Sequence, residues 1–124
     1  LSPGGSRQYR EAVFDHLTDS AVSAPWRTAP ENAILVFDGL FLHRPELAEY
    51  WDFSVFLDAP FEVTVPRGAS RGEGFGDPDP RAPSNQRYVE GNQMYFDEAQ
   101  PKSRATVVVN CAELGAPSVV TWRR

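Results

Sequence analysis

The chain has 124 residues, 41% of them hydrophobic and 12% aromatic, which suits one globular domain around one core. Its net charge is −5 and its 12 basic residues are scattered rather than clustered, which excludes the electrostatic footprint of a duplex nucleic acid or anionic membrane partner. The single cysteine, Cys111, excludes an intrachain disulfide and a Cys/His zinc cluster and suits a reducing cytoplasm, while no run nears the roughly 18 apolar residues of a membrane-spanning helix.

The opening "LSPGGSRQYREA" has neither the charged nor the apolar region of a signal peptide, and methionine occurs only at Met94, so either the start was processed or encoded unusually or the chain is part of a longer protein. "SPGG" is a turn, and Ser6 is placed to cap a helix over 7–17 with Tyr9, Val13 and Leu17 on one narrow face. The small polar residues and two prolines of 18–32 form a loop. It feeds "AILVF", residues 33–37, which reads as an interior strand of a parallel sheet ending on Asp38 and Gly39. "RPELAEYW" predicts a short helix with Pro45 in its first turn, and "FSVFLDA", 53–59, predicts a second apolar strand. "PFEVTVPRGASRG" has helical spacing, but Pro66 and Gly68 oppose a straight helix there. Residues 72–84, "GEGFGDPDPRAPS", are too rich in Gly and Pro for an ordinary connection and read as a mobile lid. A helix through "NQRYVEGNQMYFDEAQ" and a strand, "ATVVVN", over 105–110 complete the order. The predicted class is α/β: a single domain over 1–124, part of a three-layer fold with a mainly parallel sheet and helices on both faces.

Open α/β sheets place their chemistry at the C-terminal ends of strands, which puts Asp38 first among the candidates. An aspartyl-nucleophile phosphatase would want a second carboxylate two residues on, where Leu40 stands. A glycosidase would want two facing carboxylates; Asp77 and Asp79 are a pair, but on a Pro-rich loop unsuited to fixed geometry. A nucleoside triphosphate enzyme uses an acid at the end of an apolar strand to orient hydrated Mg²⁺ beside the phosphates, and Asp38 suits this best.

The succession "ILVFDGLFL", "DFSVFLDAPFE", an arginine-bearing helix into a lid, a returning helix with a Tyr, and "ATVVVN" resembles the uridine kinase-like branch of the P-loop kinases, akin to phosphoribulokinase and pantothenate kinase. The resemblance covers most of residues 9–117 and rests on order and spacing more than on any one motif. It implies a P-loop NTPase fold and transfer of the ATP γ-phosphoryl group to a nucleoside or similar small-molecule hydroxyl. It implies that Asp38 is the Walker B acid, acting on Mg²⁺ through water, where many relatives carry Glu. Arg67 and Arg71 match two arginines of the family's "RRxxR" pattern, which neutralise phosphoryl charge during transfer; Gly68 stands where a third would be. Phe14 and Asp15 align with an aromatic and acidic pair that contacts the nucleoside base, although His16 and Asp19 do not continue that pattern. Arg87, beside the lid, is a further candidate for a phosphate of ATP.

Each of these residues also has a plainer role. Arg67 and Arg71, four apart, suit a solvated helix face, Phe14 a core position and Asp15 the surface. Asp58 reads as a cap before Pro60, His16 and His43 as structural or exposed, and Tyr88, Tyr95 and Phe96 as packing residues. The pattern G-x-x-x-x-G-K-[ST] occurs nowhere in the 124 residues: the one lysine, Lys102, follows Pro101. The family's catalytic aspartate, which lies between the P-loop and the matched region, has no counterpart either. The chain therefore reads as the C-terminal part of a cytoplasmic kinase, inactive alone. The alternative is a non-catalytic remnant serving as a binding or homo-oligomerisation module.

Overall fold

The computed structural model describes residues 4–72 and 76–123, and these divide into two compact units that meet in sequence at Asp38 and Gly39. Among the described residues no helix is long and apolar enough to cross a membrane.

The first unit, residues 1–38, holds two short antiparallel ribbons. In one, β1 (Gln8–Tyr9) pairs with β4 (Arg27–Thr28), with Gln8 opposite Thr28. In the other, β2 (Phe14–Asp15) pairs with β3 (Ser20–Ala21), with Phe14 opposite Ala21. Hydrogen bonds from Ala29 N–H to Arg7 C=O and from Val22 N–H to Val13 C=O extend the ribbons. Across the first, Arg10 lies 4.4 Å from the Trp26 ring centre and Arg27 pairs with Glu11 at 2.9 Å. The helix expected over 7–17 is therefore absent. Its spacing supplied only a narrow apolar stripe, and Val13 and Leu17 stay exposed, so no tertiary packing supports a helix over marginal propensity.

The expected strand 33–37 is also absent. The run has no regular structure, and Ile34 and Val36 are each 88% exposed. An apolar run becomes a strand only where a neighbour takes up its backbone hydrogen bonds, and no described strand pairs with it.

The second unit, residues 39–124, carries α1 (Pro45–Ala48), β5 (Val55–Asp58), α2 (Phe61–Ala69), α3 (Gln86–Ala99), α4 (Pro101–Arg104), β6 (Val107–Asn110) and β7 (Ser118–Trp122). Pro45 starts α1 as expected, because its missing N–H is not needed there. The sheet order is β5-β6-β7. β5 and β6 are parallel, Val55 opposite Val107 and Asp58 opposite Asn110, and the connection through α2, α3 and α4 is the long crossover that parallel pairing requires. β7 is antiparallel to β6, with an irregularity at Val108/Val109.

One face of β5 is covered by α3: Phe56 meets Phe96 edge-on at 6.0 Å, and Phe96 stacks on Phe61 of α2 at 6.1 Å. Val65, Tyr95, Ala99, Ala105, Val107 and Val108 are buried apolar residues of this unit. Val55 and Leu57, which alternate to the opposite face, remain 47% and 65% exposed. The expected three-layer fold, with a mainly parallel sheet and helices on both faces, is thus corrected to short antiparallel ribbons and one mixed three-stranded sheet. Two of its premises fail: the run 33–37 adds no strand, and "SVVTW", to which no strand was assigned, adds an antiparallel one.

Part of the expected lid, residues 73–75, lies outside the described residues. Beyond it the chain is tied by side-chain-to-backbone bonds. Asp77 Oδ1 accepts from Asp79 N–H at 2.8 Å and Asp79 Oδ1 from Arg81 N–H at 2.9 Å, while buried Asn85 donates to the carbonyls of Asp77 and Asp79. Gly76, with φ +87°, belongs to this arrangement, since a Cβ there would collide with the Asn85 side-chain oxygen.

Candidate functional site

The C-terminal ends of the parallel pair bring together groups that the sequence keeps far apart. Cys111 N–H donates to Asp58 C=O at 2.8 Å, locking the two strand ends. The Asp58 carboxylate pairs with Lys102 Nζ at 2.8 Å, so it is an ion-pair partner, and α2 has Pro60 as its N-cap with no side-chain cap bond. Arg67, half-buried near the end of α2, donates Nη1 to Cys111 C=O at 3.1 Å and Nη2 to Ala112 C=O at 3.0 Å. The two carbonyls match the planar fork of a guanidinium, which a lysine could not reproduce. Asn110 Oδ1 accepts from Ala112 N–H at 2.9 Å, holding the loop that presents them.

The candidates from sequence fall as follows. Arg67 and Arg71 share one end of α2, but their circumstances differ: Arg67 is engaged by main-chain carbonyls, whereas Arg71 is exposed just past the C-terminus. Arg87 is exposed in the first turn of α3, where it lines a shallow depression with Pro83, Gln86, Glu90, Gly91 and Met94. Asp38 closes the first unit as an exposed residue without regular structure, rather than at the end of a strand. Phe14 and Asp15 are neighbours in β2. Phe14 is exposed rather than a core residue, and Asp15 Oδ1 accepts from Leu17 N–H at 2.9 Å. That bond, with one from the Thr18 side chain, holds the Asp15 carboxyl below its ordinary range. Among the described residues no group of three or more His, Cys, Asp or Glu side chains is arranged to hold a metal ion.

Sequence reasoning missed two features here. One is Lys102, which short-range patterns cannot pair with Asp58, 44 positions earlier. The other is His43, 7% exposed, whose backbone N–H donates to Tyr95 Oη at 3.1 Å while its ring Nδ1 lies 3.3 Å from the same oxygen. Phe41, two residues before it, has a φ of +62°, a conformation costing on the order of 1–3 kcal/mol in a non-glycine residue. Its ring packs edge-on against Tyr95 at 5.2 Å, which helps offset that cost.

No family model matches the chain, and neither does any curated protein or solved structure.

Proposed function

We propose that the chain is part of a uridine kinase-like phosphotransferase that moves the γ-phosphoryl group of ATP to a hydroxyl of a nucleoside or similar small molecule in the cytoplasm. The observation that carries this reading is the run β5, α2, Gly/Pro-rich loop, α3, α4, β6: a parallel crossover whose first helix has Arg67 near its end and Arg71 just past it, before the loop. That is the element order the family resemblance implies for the phosphoryl-handling side of the enzyme.

Within this reading the two arginines have different tasks. Arg67 fixes the end of α2 to the β6 end through Cys111 and Ala112, and Arg71 offers its guanidinium to the transferring phosphoryl group. Arg87, in the same unit, would approach the remaining phosphates of ATP. The resemblance alone assigns Mg²⁺ to Asp38, whose exposed carboxylate would be the one donor from this chain. The Mg²⁺ ion, when bound, supplies neutralisation of charge on the phosphate oxygens.

A second reading, a binding or oligomerisation module without catalysis, is favoured by one observation: the exposed apolar run at 34–37 together with the exposed outer face of β5. Assaying the complete gene product for ATP-dependent, Mg²⁺-dependent phosphorylation of uridine and cytidine separates the two. Turnover supports the kinase reading; a folded, nucleotide-inert product supports the module.

A further inference from the structure

The stretch 39–51 meets α3 at Tyr95, through the packing of Phe41 on its ring and through hydrogen bonds with His43, and the hydrogen-bond arithmetic there is unusual. Tyr95 Oη accepts the His43 backbone N–H and lies 3.3 Å from the ring Nδ1, and we take the tautomer in which the hydroxyl donates to Nδ1. The imidazole is then neutral with its proton on Nε2, and buried Nε2 has no hydrogen-bond partner. Burial and the charge of Arg104 disfavour a second proton on the ring. β5 presents Phe56, edge-on at 6.2 Å, α3 presents the Tyr95 hydroxyl, and α4 presents the positive charge of Arg104. Among the described residues no carboxylate forms an ion pair with the ring.

We propose that His43 and Tyr95 form a pH-sensitive latch, and that protonation of His43 releases residues 39–51 from α3 while the sheet stays folded. A proton on Nδ1 turns the only acceptor of the Tyr95 hydroxyl into a donor. The ring then carries a buried charge, an unpartnered Nε2–H and no counter-ion. The positive φ at Phe41 adds a strained residue to the same segment, which the clamp must hold in place.

Burial first, then Arg104, pushes the His43 pKa below its ordinary value of 6.5. The unlatched form takes up the proton near the ordinary value, so at a pH below it the unlatched form binds more protons than the latched one. Latch stability is therefore fully present above about 6.5 and is lost as the pH falls from there toward the lower latched value. The inference is independent of the phosphoryl-transfer reading.

Hydrogen exchange of the His43 amide, which donates to Tyr95 Oη, reads the latch directly. The control is the Val107 amide, which donates to Ser54 C=O at 3.0 Å within the sheet. After correction for intrinsic rates, His43 protection should fall progressively from about pH 7.5 to about pH 5, with Val107 protection steady. His43→Asn places an uncharged acceptor near Nδ1 and should abolish that dependence. Arg104→Gln, at an exposed position, should move the midpoint upward, because removing the repelling charge eases protonation. Protection of His43 that is flat with pH, a parallel loss at Val107, or a midpoint unmoved by Arg104→Gln would each overturn the proposal.

Discussion

Arg67 has two claims on it: a phosphoryl group during catalysis, and the carbonyls of Cys111 and Ala112 that it already engages. Charged donors on main-chain carbonyls contribute about 1.5–3 kcal/mol each when well shielded, and Arg67 is half-buried, so Arg67→Ala should cost about 1–3 kcal/mol in a urea titration. Arg67→Lys should recover less than half, because an ammonium lacks the fork that reaches both oxygens. Wild-type stability in both variants would show that the carbonyls do not need this residue. The residue scale also shows what a sequence conceals. Arg67 and Arg71 look interchangeable as an i, i+4 pair, and Asp58 looks like a cap. Only the folded positions of Cys111 and Lys102 separate their roles.

At the scale of elements, the sequence was most legible where local and tertiary forces agree. The helix within "RPELAEYW" and the helix through Tyr88 and Phe96 form, as do the strands expected at 53–59 and 105–110, over Val55–Asp58 and Val107–Asn110. In α2 they disagree: Pro66 removes the donor that would meet Glu62 C=O, yet the helix continues to Ala69, supported by buried Val65 and by Phe61 on Phe96. Pro66→Ala should therefore stabilise the protein by about 1–2 kcal/mol, the helix-interior penalty less the entropy returned to the unfolded chain. A raised urea midpoint at unchanged m-value checks it; a lowered midpoint would mean that the proline ring packs better than it obstructs. The two elements that failed, over 7–17 and 33–37, had suitable spacing but no partner surface. Periodicity records what a segment could bury, and Leu17 and Ile34 bury little.

At the scale of the molecule, the parallel β5–β6 pair is the part of the predicted α/β architecture that forms, while the antiparallel β7 had no expected counterpart. The 124 residues also contain no G-x-x-x-x-G-K-[ST] to cradle a triphosphate. The isolated chain should accordingly show no ATP-dependent phosphorylation of uridine or cytidine in a coupled assay, whatever the metal supplied. Robust turnover by the isolated chain would mean that phosphates are held by some other device.

The phosphotransferase reading is tested most directly by the kcat of Arg71→Ala in the complete gene product, with uridine as acceptor and saturating ATP and Mg²⁺. Arg71 is exposed and, on this account, meets charge that develops in the transition state. Its loss should lower kcat by on the order of 10² or more with little change in nucleoside KM, and Arg71→Lys should restore only part. An unchanged kcat in a protein that phosphorylates uridine, or no phosphorylation of uridine or cytidine at all, would contradict the account.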